Sequence, residues 1–255
     1  SLISIFHSSV HNFYILSHFV SLRKSLPLLI GFYRRHSHKG RGMPDTGHPS
    51  RVMYDLLIQN GKLVTPDRIY EATVAIKDGK YAAFLAPGAE AEAKEVIDAK
   101  GNYVFPGIID CHAHLNEPGF EYREDFETGS RAAAVAGCTT LIDMPLNNDP
   151  SLMNKEIFDL KMGLISKHSV IDYALWGGIV GDYDEQQGSV KNNMNDLVDL
   201  HNCGVAAFKG FTCPNGDLFP TVNMGNVRKA LEILKPYNAL CGFHCEEWGQ
   251  VYERE

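Results

Sequence analysis

The sequence lacks the features that identify several large classes of protein. Its 255 residues carry a net charge of -7 at pH 7, whereas a nucleic-acid-binding protein normally presents a basic face. No Gly-x-Gly-x-x-Gly or phosphate-loop motif follows any predicted strand, which disfavours nucleotide binding. The longest apolar run near the N-terminus, residues 26–33, is too short to span a bilayer and contains Pro27 and Gly31. We therefore expect no nucleic-acid or membrane partner.

The chain also has few cysteines and no Cys-x-x-Cys pair. Six cysteines in 255 residues are too few for a disulfide framework at this length. Cys241 and Cys245 are close in sequence but lack the second pair that a structural zinc site requires. Reduced thiols indicate an intracellular protein, in the cytoplasm or in an organelle such as the mitochondrion or peroxisome.

Residues 1–52 differ in composition from the rest of the chain. They hold seven Lys and Arg residues against the single acid Asp45, a balance of +6, so residues 53–255 carry -13. A basic, Ser-rich segment with so few acids is typical of an organelle transit peptide. Because the chain begins at Ser1 and its first methionine is Met43, non-native upstream sequence explains the segment equally well. In either case we expect it to be disordered and exclude it from the fold.

Residues 53–103 predict a small antiparallel β domain. The predicted strands are residues 55–59, 62–64, 73–77 and 80–85. The first two are joined by Asn60-Gly61 and the last two by Asp78-Gly79. Because these dipeptides favour two-residue turns, we expect two hairpins.

From residue 104 onward, the sequence alternates between strand and helix patterns. After a first apolar run that ends in Asp110, the predicted strands are residues 139–143, 173–176, 205–208 and 240–243. The predicted helices are residues 125–136, 154–167, 193–202 and one that starts at Asn223 or Asn226 and ends at Leu234. This alternation predicts a parallel sheet, either a barrel or a doubly wound layer.

The positions of polar residues favour the barrel. Barrel enzymes place their catalytic groups at the C-terminal ends of successive strands. Polar residues lie at or just past these ends here, namely His112, His114, Asn147, Lys209 and His244. A whole barrel needs about 250 residues, but residues 104–255 supply 152 residues and five predicted strands. We therefore expect an α/β fold whose (β/α)8 TIM-type barrel is truncated after about five strands, as in an N-terminal fragment.

His112 and His114 are candidate metal ligands. They follow an apolar strand and are two residues apart, so in an extended chain both imidazoles point to the same side. Two converging imidazoles suit a divalent transition metal, although a histidine-rich strand end explains the pair equally well. His244 ends the fifth predicted strand, where a lone histidine is more often structural than a ligand.

Lys209 is a candidate of a different kind. By itself, a solvated or ion-paired lysine is the simpler interpretation, because burying a lysine in a barrel mouth is costly. A desolvated, neutral lysine near two cations can instead add carbon dioxide and form a carbamate, an anionic ligand with two oxygens. Two metal ions about 3.5–4 Å apart can activate water and polarise a carbonyl. Four candidate ligands in one ring of strand ends make the metal site the stronger interpretation.

Five motifs carry a resemblance to a known family. They are DCHAHLNEPG at residues 110–119, ETGSRAAA at 127–134, MPLN at 144–147, FKGF at 208–211 and FHCE at 243–246. Together, and in this order, they resemble the cyclic amidohydrolases, and among them most closely the allantoinases. The resemblance covers the chain from about Tyr54 to its end. It implies a (β/α)8 barrel with a small β domain, and zinc-dependent hydrolysis of allantoin to allantoate in purine catabolism.

The same resemblance implies roles for single residues. His112 and His114 would bind one of two Zn²⁺ ions and His244 the other. The carbamate of Lys209 would bridge them. The remaining histidine ligand, and an aspartate that is both ligand and proton shuttle, are expected beyond Glu255. A homo-oligomer is compatible with the sequence.

Asn116 is expected to favour a substrate without a carboxylate. Dihydroorotases resemble this chain but have Arg at this place, where it pairs with the substrate carboxylate. Asn116 can hydrogen-bond a neutral ureido group but cannot form that bidentate clamp, and allantoin carries no carboxylate. Dihydroorotases also tend to read Met-Pro-Asn where this chain has Met144-Pro-Leu-Asn147, and dihydropyrimidinases generally lack the Glu-Pro-Gly turn. Asn147 is the best candidate for a substrate contact, with loop capping as its alternative role.

Other functions stay open beside allantoin hydrolysis. The enzymatic alternatives are a dihydroorotase and a dihydropyrimidinase or hydantoinase. A non-catalytic scaffold of the same superfamily usually shows loss of ligands, whereas all four ligands expected in this stretch are present. The chain by itself, with an open barrel and incomplete metal sites, is expected to be an inactive fragment that does not fold stably.

Overall fold

The computed structural model describes residues 13–15, 53–181, 192–216, 218–247, 249–250 and 253. The chain divides into two compact units, Ser1–Pro106 and Gly107–Glu255. Within the basic segment 1–52, strand β1 (Phe13–Ile15) is the part that the structure describes. Our expectation for the rest of that segment lies outside the described residues.

In the described part of the first unit, six strands form one sheet. After β1 they are β2 (Met53–Val64), β3 (Ile69–Lys77), β4 (Lys80–Leu85), β5 (Glu92–Asp98) and β6 (Tyr103–Phe105). The order is β1-β6-β2-β3-β4, and β5 also pairs with β2. The pair β3–β4 is antiparallel as predicted, and β2–β3 is antiparallel as well. Strands β5 and β6 run parallel to β2, so the sheet is mixed and not antiparallel throughout. Alternate residues of β2 and β3, including Leu56, Ile58 and Val74, pack into one core.

The prediction of a hairpin turn at Asn60-Gly61 is wrong. Strand β2 runs through both residues, and its pairing with β3 shifts by a β-bulge between Ile58 and Gly61. Asn60 has a positive φ of 57°, and its Nδ2 donates to Asp98 Oδ1 at 2.9 Å. An Asn-Gly pair suits a bulge as well as a turn, because both need a residue at positive φ. The contact with Asp98, which is distant in sequence, favours the bulge.

The second predicted hairpin is confirmed. Strands β3 and β4 pair up to Lys77 and Lys80, and the intervening Asp78 and Gly79 have φ values of 51° and 71°. Two successive residues at positive φ form the turn whose twist matches that of the flanking strands.

In the described part of the second unit, five parallel strands alternate with four α-helices. The strands are β7 (Ile108–Ala113), β8 (Cys138–Asp143), β9 (Asp172–Ile179), β10 (Ala207–Phe211) and β11 (Cys241–His244). The helices are α1 (Phe126–Val135), α2 (Lys155–Ile165), α3 (Leu197–Cys203) and α4 (Met224–Leu234), and a 3-10 turn, Lys235–Tyr237, follows α4. The sheet runs from β7 to β11 in chain order, which confirms the predicted alternation.

Capping side chains begin three of these helices. Asp125, Asn154 and Asn223 each accept a hydrogen bond from the backbone N–H three residues later, which satisfies a donor that the helix itself leaves unpaired.

The helices of the described residues are too short or too polar for any of them to span a bilayer.

Helix α3 begins later than predicted. The prediction placed its start at Asn193, but the helix starts at Leu197. Asn193 instead donates its Nδ2 to the carbonyls of Met153 and Gly178, each at 2.8 Å. These contacts with distant residues hold Asn193 outside the helix. The predicted stop is confirmed, since Gly204 ends α3 with a φ of 95°.

The five-stranded sheet is strongly curled. Trp176, on the central strand β9, donates from Nε1 to the carbonyl of Cys111 on β7 at 3.0 Å. A Cβ added to Gly242 on β11 would lie 3.5 Å from the same indole ring. One side chain therefore reaches strands two places away on both sides, so it lies across a concave face. This curl, with the strands in chain order, is the geometry of a barrel wall.

Candidate active site

The strand register shows which side chains share the concave face with Trp176. Ala207 of β10 pairs with Trp176, and Lys209, two residues on, pairs with Gly178 of β9 and Gly242 of β11. Paired residues in neighbouring strands point to the same face, as do residues two apart along one strand. Lys209 and the in-register pair formed by Phe211 and His244 therefore face the concave side.

The histidines of the first strand share that face. Ala113 pairs with Asp143, which in turn pairs with Leu175, the neighbour of Trp176. These three residues therefore occupy the convex side. Strand β7 bulges between Asp110 and Ala113 and ends at Ala113. His112 and His114 directly flank Ala113 and their rings lie together, so we infer that both point to the opposite, concave side.

His112 and His114 form a close pair. Their ring centroids are 5.3 Å apart, in agreement with the prediction that both point to the same side. The Asp110 carboxylate accepts a hydrogen bond from the His112 backbone N–H at 3.0 Å. Burial lowers the pKa of His114 below the usual value for imidazole, which favours the neutral form that binds metals.

Both candidate substrate contacts lie beside His114. The amide Nδ2 of Asn147 is 3.2 Å from His114 Nδ1, so Nε2 is the ring nitrogen without this contact. Asn116 donates from Nδ2 to the His114 carbonyl at 3.3 Å. Both asparagines have positive φ, 54° for Asn116 and 62° for Asn147, a backbone conformation that asparagine tolerates better than most residues.

Lys209 is buried although it carries an amine. Its side chain packs over Phe211, with Nζ 4.7 Å from the ring centroid, and the residue is only 8% exposed. Burial lowers the pKa of the amine, which makes the neutral, nucleophilic form easier to reach. Its partners in register are Gly178 and Gly242. Phe219 and the Leu152 carbonyl lie against Gly178, whereas Trp176 is at ordinary contact distance from Gly242.

His244 packs against the same aromatic residue. Its ring is stacked on Phe211, with centroids 4.9 Å apart and planes 8° from parallel. Its Nε2 pairs with the Glu246 carboxylate, which also accepts from Cys213 Sγ at 2.9 Å. Burial, together with this bond to Glu246, raises the pKa of Cys213 to about 11, so the thiol stays protonated at neutral pH.

The predicted ligands thus form two groups, both on the concave side of the sheet. One contains His112 and His114 and the other contains Lys209 and His244. Among the described residues, no three His, Cys, Asp or Glu side chains lie close enough together to hold a metal ion. The donor chemistry nevertheless fits a divalent transition metal, since it offers imidazoles and an amine whose lowered pKa favours the reactive form.

The structure reveals a buried polar network that the sequence analysis missed. Lys161 of α2 and Asp143 of β8 are both fully buried and pair at 2.6 Å. Burial raises the pKa of Asp143, and the nearby Lys161 ammonium opposes that rise. One sequence signal could have identified Lys161, because it precedes the buried Ile165 by four residues and so lies on the buried side of the helix.

Comparisons with known proteins agree with this architecture. The family model for the amidohydrolase family matches residues 103–249. An allantoinase of Desulfitobacterium hafniense (strain Y51) is 38% identical over 194 residues, covering 76% of this chain and 41% of that protein. An allantoinase of Escherichia coli (strain SMS-3-5 / SECEC) is 36% identical over 216 residues, covering 80% and 45%.

The chain is also similar to a solved hydantoinase structure. The L-hydantoinase (dihydropyrimidinase) from Arthrobacter aurescens matches with a TM-score of 0.71 and 30% identity, covering 78% of this chain and 42% of that one. This likeness confirms the barrel fold with a separate small β sheet. The chain spans 41% to 45% of the length of the two allantoinases that it matches.

Proposed function

Because the chain belongs to the amidohydrolase family, whose members are generally metal-dependent, we propose that the whole protein hydrolyses the cyclic amide of allantoin to give allantoate. The allantoinase relatives at 36% and 38% identity support this substrate. The observation that carries the proposal is the placement of the His112–His114 pair, Lys209 and His244 on one concave face.

Two Zn²⁺ ions are the proposed cofactors. His112 and His114 would hold one ion, His244 would hold the other, and the carbamate of Lys209 would bridge them. When bound, the ions would polarise the amide carbonyl and acidify a water molecule. The remaining histidine ligand and the aspartate proton shuttle would come from sequence after Glu255.

Lys209 is suited to carbamate formation. The neutral amine adds through its lone pair to the carbon of CO₂, so an N–C bond forms while the π pair of one C=O bond moves to its oxygen. One proton then passes from the nitrogen to water, which leaves the carbamate anion. The lowered pKa of Lys209 makes the neutral amine easier to reach, and Gly242, its partner in register on β11, places no side chain beside it. The Phe211 ring lies 4.7 Å from the amine Nζ and reduces its contact with water.

Asn116 and Asn147 are the proposed substrate contacts. Their amides can donate to and accept from a neutral ureido group, whereas neither can neutralise a carboxylate. This chemistry suits allantoin better than dihydroorotate. A hydantoinase is the second candidate, supported by the similarity to the Arthrobacter aurescens enzyme. The hydantoin ring is also an uncharged cyclic amide, so the same asparagines could contact it.

Replacing Lys209 tests the proposal. In the whole protein, Lys209→Ala should lose metal-dependent hydrolysis of allantoin and bind less zinc, because the bridging group is gone. Lys229→Ala, which alters an exposed lysine of α4, is the matched control and should behave as wild type. Zinc content by elemental analysis and turnover of allantoin are the measurements. Unchanged turnover in Lys209→Ala would show the carbamate proposal to be wrong.

A further inference from the structure

We propose that Lys161 is a positioning residue that fixes His114 from two sides. It acts through Asp143 on the backbone after His114 and through Asn148 on the loop that contacts the His114 ring. This inference rests on the proposed function, because it assigns Lys161 a part in holding the metal-binding pair in place.

The first connection runs through Asp143. Lys161 Nζ donates to Asp143 Oδ2 at 2.6 Å, and Asp143 Oδ1 accepts from the backbone N–H of Leu115 at 2.8 Å. Leu115 directly follows His114, so the carboxylate fixes the backbone from which the imidazole extends. Both charged side chains are 0% exposed, so water does not compete for these bonds.

The second connection runs through Asn148. With its amide oxygen facing Lys161, Asn148 accepts from Nζ at 2.7 Å and donates to the Pro145 carbonyl at 3.0 Å. These bonds hold the loop after β8. Asn147, the adjacent residue in that loop, contacts His114 Nδ1 at 3.2 Å. The two connections therefore meet at His114, one at its backbone and the other at its ring.

Lys161 is fully buried, so it cannot act in contact with solvent. Its ammonium lies 5.7 Å from the Phe126 ring centroid, within the range of a cation–π contact. A buried ion pair often adds little stability over an apolar pair of similar volume. The Lys161–Asp143 pair is therefore expected to act mainly on the geometry of the segments that follow β7 and β8.

The test separates positioning from stability. In the whole protein, Asp143→Asn/Lys161→Met removes both charges and so leaves no unpaired buried charge. Asn148→Ala removes only the ring-side connection. Ile165→Ala is the matched control, because it removes buried volume from the same helix without removing a hydrogen bond of the network. Zinc affinity is measured by chelator competition, stability by urea unfolding, and kcat and KM with allantoin.

We expect zinc affinity to fall about 10–100-fold in the double variant and in Asn148→Ala, as when groups that orient metal ligands are removed. Ile165→Ala should unfold at lower urea but keep wild-type zinc affinity. Wild-type affinity and kcat in both network variants would overturn the inference. An equal loss of affinity in Ile165→Ala would overturn it as well. If the double variant does not fold, Asn148→Ala decides.

These outcomes also distinguish this inference from the proposed function. If the wild-type protein binds zinc but does not hydrolyse allantoin, the proposed function fails and the affinity comparison still decides the role of Lys161. If the wild-type protein hydrolyses allantoin and the network variants match it, the positioning role alone fails. A wild-type protein that binds no zinc contradicts both.

Discussion

At the scale of single residues, the candidate site depends on burial more than on charge pairing. Lys209 is 8% exposed and packs against Phe211, while His114 is half-buried beside Asn147. For both residues burial lowers the pKa and favours the neutral form. Neutral nitrogen is the form that binds a metal or adds CO₂. Burial therefore favours the form of both side chains that the proposed chemistry requires.

Asn147 gives a prediction at this scale. Asn147→Gly removes the amide that contacts the His114 ring and keeps the positive φ without strain, because glycine adopts that conformation freely. We expect kcat/KM for allantoin to fall about 10–100-fold, the usual effect of losing a group that orients a metal ligand. Asn238→Gly, at a φ of 57° outside the site, is the control and should keep full activity. Equal kinetics for the two variants would contradict this role.

Single residues also show how far the sequence could predict the site. The closeness of His112 and His114 follows from their spacing along an extended chain. The burial of Lys161 does not, because its partners Asp143 and Asn148 come from a different element, and only packing of α2 against the sheet brings them together.

At the scale of helices and strands, local sequence largely decides where each element begins. Asp125 illustrates this, since its carboxylate accepts from the Thr128 N–H at 2.7 Å and begins α1. The predicted starts of α1 and α2, at Asp125 and Asn154, are each one residue from the observed starts, because a capping interaction spans only three residues. The bulge at Asn60 and the late start of α3 were mispredicted because contacts distant in sequence determine them.

Asp125 also gives a pH-dependent prediction. The backbone N–H of Thr128 lowers the pKa of Asp125, so its cap contributes stability above the unfolded pKa, about 3.9. That stability is lost as pH falls through the lower folded pKa. Asp125→Ala should therefore destabilise the protein by about 0.5–2 kcal/mol at pH 7.

Urea unfolding of both proteins at pH 7 and in acid checks this prediction. The difference between wild type and Asp125→Ala should narrow once the pH falls below the folded pKa of Asp125. A difference that is the same at both pH values would show that the ionised carboxylate does not cap α1.

At the scale of the whole molecule, the curl of the sheet determines the site. His112 lies in β7 and His114 directly follows it, while Lys209 and His244 come from β10 and β11. Their common face follows from parallel strands in chain order, which the strand–helix alternation predicts. How closely the two groups approach one another depends on barrel curvature, which local sequence patterns do not encode.

A comparison of three cyclic amides tests whether allantoin is the substrate of the whole protein. The zinc-loaded whole protein is assayed for kcat/KM with allantoin, dihydroorotate and dihydrouracil. We expect kcat/KM to be higher for allantoin by about tenfold or more, the scale of discrimination that one pocket contact supplies. Activity should be weakest with dihydroorotate, since Asn116 cannot neutralise its carboxylate. A higher kcat/KM for dihydroorotate or dihydrouracil would show that allantoin is not the preferred substrate.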